Sequence, residues 1–137
     1  MANTQKPLIS FALITYNQKD LVAAAIQGAF NQTYSPLEII FSDDCSSDGT
    51  FEILQKAAAE YKGPHTVWAR QTERNLGIIG HINSLMEIVH GELIVIAAGD
   101  DISLPQRVER LCEAYLASDR QAFSLFSNAT WIDEQGN

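Results

Sequence analysis

The chain has 137 residues, 46% of them apolar, and a net charge of −8; that size suits one domain with a sizeable core. It has no basic stripe, which removes the electrostatic footprint of a nucleic-acid binder, and an acidic surface disfavours anionic membranes. A phosphate ligand would meet opposing charge, so a divalent cation would have to mediate its binding.

The first element is the apolar, β-prone run 7–15, PLISFALIT. Asn17, with Asp20 three residues on, resembles a capping box. Leu21, Val22, Ala25, Ile26, Ala29 and Phe30 then recur at helical spacing. Residues 37–42, LEIIFS, form a second predicted strand. Ser46, Ser47 and Asp48 offer N-caps for a helix carrying Phe51, Leu54, Ala58 and Tyr61 on one face, stopped by Lys-Gly-Pro at 62–64. A short third strand over 66–70 leads to a loop or helix start at 75–80, NLGIIG. Ile82, Leu85, Met86 and Val89 mark a third helix that Gly91 ends. Residues 92–98, ELIVIAA, make the fourth and most apolar strand. Pro105 opens a fourth helix whose face is Val108, Leu111, Cys112, Tyr115 and Leu116, with Cys112 as a core filler. A fifth strand is predicted over 122–128, and TWIDEQGN at 130–137 reads as a strand entering a turn.

Strands alternating with helices predict an α/β fold: a mostly parallel central sheet, right-handed crossovers and helices on both faces. The fourth strand, lacking polar alternation, is expected at the centre and covered on both faces. Residues 1–137 read as a single domain without repeat or linker. A chain that stops at a turn signal is expected to be the front part of a longer protein. MANTQKP lacks the pattern of a signal peptide, and no apolar run approaches the roughly 20 residues that span a bilayer. Cys45 and Cys112, far apart and without metal-ligand spacing, favour a reducing compartment. The expected location is cytoplasmic.

Two apolar strands thus end in paired like charges, Asp43 with Asp44 and Asp100 with Asp101. In a parallel sheet all strand C-termini share one edge, where open α/β sheets bind ligands. Thr15, Tyr16 and Asn17 follow the first strand there, and Asn75 to Gly77 the third. Four carboxylates on one edge repel unless a cation or donor groups offset them, and oxygen-only ligands suit Mg²⁺ or Mn²⁺ holding a phosphate. Each pair also has a plain structural reading, as turn starters at 43–44 and as caps before Pro105 at 100–101. Gly99 lets backbone come close to a ligand. Tyr16 either stacks on a base or packs locally. His81 reads as a helix-face residue and His90 as a charge at a helix C-terminus. His65 has no evident role, and Trp68 and Trp131 read as core. A phosphoryl-transfer receiver or phosphatase would carry its aspartates after the first strand, where this chain has Thr-Tyr-Asn. Glycine-rich phosphate loops are absent, which disfavours kinases and dehydrogenases.

The segments ISFALITYNQKDLVAAAIQGAFNQTYSPLEIIFSDDCSSDGT, NLGIIGHIN and GELIVIAAGDDISLPQRVERL occur in order and at characteristic distances. Together they resemble the N-terminal, nucleotide-sugar-binding part of glycosyltransferase family 2, with its Rossmann-like GT-A fold, over nearly the whole chain. The resemblance implies metal-dependent transfer of a sugar from a nucleotide diphosphate donor to the hydroxyl of an unidentified glycan or lipid-linked acceptor, by inversion. It further implies that Thr15, Tyr16 and Asn17 line a base pocket, that Asp44, with Asp43, hydrogen-bonds the base, and that Asn75 and Gly77 lie on the donor side. Asp100 and Asp101 match the end of the family's DxD motif, contacting ribose and a Mn²⁺ or Mg²⁺ on the diphosphate; Ala98 stands where the first Asp would be. Arg107 matches the Arg of P-x-R, with its role open. The family's catalytic base belongs to the acceptor-binding half and is expected beyond Asn137, with Asp133 and Glu134 as turn residues. This part is therefore expected to bind donor without turnover. The alternative is a non-catalytic nucleotide-binding or scaffolding module, and a homodimer is left open.

Overall fold

The structure is a computed structural model that describes residues 5–133 and 135–137. Strands β1 (Ile9–Thr15), β2 (Leu37–Asp43), β3 (Thr66–Gln71) and β4 (Leu93–Ala98) alternate with helices α1 (Val22–Phe30), α2 (Thr50–Glu60), α3 (Gly77–Met86) and α4 (Arg107–Ala117). Every strand pair is parallel, in the order β3-β2-β1-β4. That order dictates the helix layers. The chain steps one way from β1 to β3, then returns across the sheet to β4, so right-handed crossovers put α1 and α2 on one face and α3 on the other.

Side-chain alternation builds the two layers. Ile9, Phe11 and Leu13 of β1, with Ile39 and Phe41 of β2, pack against Val22, Ala25, Ile26 and Ala29 of α1, Leu54 of α2, and Val108 and Cys112 of α4. The opposite face is thinner. There Ala12 and Ile40 meet Leu85 of α3, with Ile14, Trp68, Ile88, Val89 and Ile94 around them. No helix among the described residues is long and apolar enough to cross a membrane.

Several local expectations are corrected. β4 pairs only with β1 among the described residues and so lies at an edge; β1 and β2 are central, and β2 is buried at every position. Apolar side chains on both faces of a strand report cover by two helix layers, which an edge strand also receives. The fifth strand over 122–128 does not form, nor does a strand before the final turn, and Phe123, Phe126 and Trp131 are exposed. β-propensity marks residues that fit a pleated surface, and without a neighbour to pair with there is no ladder. The Asn17–Asp20 capping box is absent as well: α1 begins after Leu21 with no side-chain cap, because the Asn17 side chain is bonded elsewhere.

At the N-terminal edge of the sheet, the buried Glu38 carboxylate takes the Ser10 hydroxyl, the His90 amide at 2.7 Å and His90 Nδ1 at 3.1 Å. His90 therefore closes the turn into β4 rather than capping a helix. The Gly91 amide donates to Ser10 Oγ at 2.8 Å, and a methyl group there would collide with the backbone of Ile9 and Ser10. Gly91→Ala is expected to destabilise the protein by about 1–3 kcal/mol, read as a lower urea midpoint with an unchanged slope.

Candidate functional site

The parallel register places Thr15, Asp43 and Gln71 side by side as the last residues of β1, β2 and β3. Asp43 is completely buried. Its Oδ1 accepts from Thr15 Oγ1 at 2.8 Å and Ser46 Oγ at 2.5 Å, and its Oδ2 from the Ser46 amide at 2.8 Å and Gln71 Nε2 at 2.9 Å. Four donors on one carboxylate hold its charge in place, and charge-assisted bonds of this kind are the strong ones.

From this anchor the loops after β1 and β2 are stitched together. The Asn17 amide donates to Ser46 Oγ at 2.8 Å, and Asn17 Oδ1 accepts from the Ser47 amide at 2.9 Å. The Gln18 amide reaches Thr50 Oγ1 at 2.9 Å and the Lys19 amide Asp48 Oδ2 at 3.1 Å. Asn17 holds a left-handed φ of 48°, which asparagine tolerates. Tyr16 is left half exposed on the rim. Asp48 also accepts the Thr50 amide at the start of α2, and these donors, the Thr50 hydroxyl foremost, hold its carboxyl below the usual range.

Asp44 turns toward the α3 side of the sheet. It is 3% exposed, and its amide donates to the Thr15 carbonyl at 2.9 Å. Its Oδ1 accepts the Leu76 amide at 2.9 Å and lies 3.0 Å from Thr72 Oγ1. Its Oδ2 has no partner among the described residues and is not sealed from solvent. Asn75 Oδ1 accepts from the amide of Gly77, whose φ of 71° opens α3.

Beneath Asp44, Ser42 and Arg70 are register partners on β2 and β3. Arg70 Nε donates to Ser42 Oγ at 2.8 Å, and Ser42 Oγ lies 2.6 Å from His81 Nε2 of α3. Arg70 Nη2 donates to Ser84 Oγ, which donates to the His81 carbonyl at 2.7 Å. Ser42 Oγ has a second lone pair as well as its own proton, so it can pair with His81 Nε2 in either tautomer of the ring. Burial pushes the His81 pKa down; Asp44 opposes this, Arg70 adds to it, and Asp43 opposes it more weakly.

Across β1, the Gly99 amide donates to the Ile14 carbonyl at 3.0 Å, and a side chain at 99 would strike Gln18 and Thr15. Asp100 and Asp101 follow on an exposed turn, and neither carboxylate has a hydrogen bond or ion pair among the described residues. The segment beyond them is held firmly. Arg107 donates to Ser103 Oγ and the Ile96 carbonyl, each at 3.0 Å. Gln32 Nε2 donates to the Leu104 carbonyl at 2.8 Å, and Gln32 Oε1 accepts the Val108 amide at 3.0 Å. Burial pushes the Arg107 guanidinium down, and the charge of Asp101 pulls it back up.

Asp44 directly follows β2 and Asp101 lies three residues beyond β4, on either side of β1 at the same rim. β1 and β4 flank the point where strand order reverses, the usual ligand crevice of such sheets. Asp100 and Asp101 suit a hard divalent cation that brings further oxygen ligands with it. No group of three or more His, Cys, Asp or Glu among the described residues could enclose a cation unaided.

Thr15, Tyr16, Asn17, Asp43, Asp44, Asn75, Gly77, Asp100 and Asp101 thus all fall on the C-terminal rim that the strand pattern predicts. Asp133 sits in its turn, accepting the Gln135 and Asn137 amides; Glu134 lies outside the described residues. Cys112 is buried and Trp68 packs against the core, whereas Trp131 does not. Sequence reasoning missed Gln32, Ser42, Arg70 and the full place of His81. The available signal was a serine and an arginine on strands that are otherwise apolar at those depths. His65 also has a place: its Nε2 lies 2.9 Å from the Gln32 carbonyl, and its ring stacks on Tyr61.

Comparison with known proteins agrees with this geometry. The model of Glycosyl transferase family 2 matches residues 10–127. An uncharacterized glycosyltransferase of Methanocaldococcus jannaschii is 33% identical over 134 residues, covering 96% of this chain and 45% of the relative. A mannosyltransferase of Pyrobaculum calidifontis, solved in complex with GDP-Man and Mn²⁺, superposes with a TM-score of 0.66 at 23% identity, covering 72% of this chain and 29% of that one. S. aureus TarS 1-349 in complex with UDP-GlcNAc superposes with a TM-score of 0.68 at 22% identity, covering 82% and 32%. The chain spans less than half the length of each of these proteins. With the family model covering most of its length and its sheet superposing on GT-A glycosyltransferases, the chain belongs to glycosyl transferase family 2.

Proposed function

We propose that the chain is the donor-binding part of a metal-dependent glycosyltransferase that moves a sugar from a nucleoside diphosphate to an acceptor hydroxyl. One observation carries the reading: Asp44 Oδ2 on one side of β1, and the Asp100 and Asp101 carboxylates on the other, have no hydrogen-bond partner among the described residues. A nucleoside diphosphate supplies what each lacks. Its base offers an N–H to Asp44 and a face to Tyr16, in a pocket bounded by Thr15, Asn17, Asn75 and Gly77. Its ribose meets Asp100, and its diphosphate reaches Asp101 with Asp100 through Mn²⁺ or Mg²⁺. The chemistry such a cation supplies is Lewis-acid stabilisation of charge on the departing diphosphate. Asp43, its oxygens occupied, organises the rim rather than meeting the base.

Membership of the family supports donor binding, as do fold relatives solved with GDP-Man and Mn²⁺ and with UDP-GlcNAc. A glycan or lipid-linked acceptor belongs to the same reading, and the two free thiols suit a cytoplasmic location.

The test is a thermal-shift titration with UDP, GDP and dTDP, each with and without Mn²⁺. Nucleotide at a hundred times its Kd is expected to add about 2.7 kcal/mol of stability. Asp101→Asn should abolish the metal-dependent part, and Asp44→Asn should weaken the nucleotide itself. No shift with any nucleotide overturns the proposal. Binding without turnover by the full-length protein would instead mark a nucleotide-binding module, a reading that Ala98 favours. Asp43→Asn, which sets an amide against donors, should cost about 1–3 kcal/mol of stability in urea denaturation even without ligand.

A further inference from the structure

A serine oxygen 2.6 Å from a histidine nitrogen, as between Ser42 and His81, has the spacing of an activated nucleophile. Here it has another use. Ser42 is fully buried, His81 is 3% exposed, and Arg70 already occupies the serine oxygen. No reactant can approach, so the contact holds elements together.

What it holds is the first half of α3. That helix buries only His81 and Leu85, and Ile78 and Ile79 in its first turn are 68% and 74% exposed. The N-terminal half therefore has no buried apolar anchor. Its polar attachments to the sheet are the Leu76 amide on Asp44 Oδ1, Asn75 Nδ2 on the Asp44 carbonyl at 3.4 Å, and the His81 contact with Ser42, backed by Arg70 and Ser84. Leu76 joins Thr72 Oγ1 on Asp44 Oδ1, and the other oxygen is left open.

We infer that Ser42, Arg70 and His81 are positioning residues for the donor site: without touching donor, they seat the start of α3 so that Leu76 takes one oxygen of Asp44 and leaves the other for the nucleotide base. The inference rests on the donor-binding reading above for its ligand, but not for its geometry. A neutral His81 shares Ser42 Oγ with the Arg70 guanidinium without repulsion, whereas a protonated ring would set like charge against Arg70 across that oxygen. The charged groups acting on His81 are Asp44 and Asp43 at the end of β2, which favour protonation, and Arg70 of β3, which together with burial opposes it. The folded-state pKa lies below the ordinary histidine value. The neutral form therefore persists at neutral pH, and the contact weakens only as pH falls through that lowered pKa.

The experiment uses two readouts on the whole chain: the Leu76 amide resonance without ligand, and the Kd for UDP and GDP. Ser42→Ala and His81→Leu are expected to shift the Leu76 amide and weaken the binding nucleotide about tenfold. His81→Gln, which keeps an acceptor for Ser42 but does not titrate, should stay within about threefold of wild type. Arg70→Lys, which cannot span Ser42 and Ser84 together, should resemble Ser42→Ala. As pH is lowered from about 8 until the His81 ring resonances titrate, the wild-type Leu76 amide should move with them and the His81→Gln amide should not. A Leu76 amide and a Kd unmoved by Ser42→Ala and His81→Leu would overturn the inference. So would a wild-type Leu76 amide that stays put while the His81 ring resonances titrate. If the wild-type chain binds neither nucleotide, the donor-binding reading fails, and the Leu76 amide alone decides the brace.

Discussion

Three parallel strands end at the buried carboxylate of Asp43, and the rim is positioned from there. An unpaired carboxylate at that depth would cost several kcal/mol, a large share of a domain's net stability. Thr15 from β1, two groups of Ser46 and Gln71 from β3 resolve the problem by pointing donors at it. The loops that carry those donors thereby lose their freedom, and Asn17 and Ser47 lock them to each other. Tyr16 is displayed as a consequence rather than by packing of its own.

The neighbouring aspartate receives the opposite treatment. Asp44 is nearly as buried, yet only one of its oxygens is occupied. Asp100 and Asp101 are exposed and unpaired. The protein thus satisfies one carboxylate within the fold and leaves three with capacity for an external donor or cation. For the exposed pair water can supply that capacity, so Asp44, buried with one oxygen open, is the departure from a fold that satisfies its buried polar groups.

The two faces of the sheet use different adhesives. α1, α2 and α4 are held by a continuous apolar layer. α3 has one large buried apolar side chain and relies on polar contacts toward its start. The start of α3 beside Asp44 is therefore set by polar contacts, which have preferred distances and directions. At the far edge, the free side of β4 borders a groove lined by Met86, Leu93, Ile94, Tyr115 and Phe123, where the irregular segment after α4 passes.

The alternation of apolar strands with amphipathic helices was enough to determine the α/β class, the shared direction of the strands and the edge on which the aspartates collect. Those features depend on local periodicity and on the handedness of crossovers, and both are written along the chain. Tertiary structure alone decided that β4 lies at an edge, because apolar residues on two faces mark helix cover and not strand order. It alone separated Asp43 from Asp44: adjacent and chemically identical, they differ only in which donors the register of β1 and β3 brings against them. The brace through Ser42, Arg70 and His81 was hidden for the same reason. Its members lie 28 and 39 residues from Ser42, and no local pattern reports a contact that exists only once the sheet has closed and α3 has crossed its face.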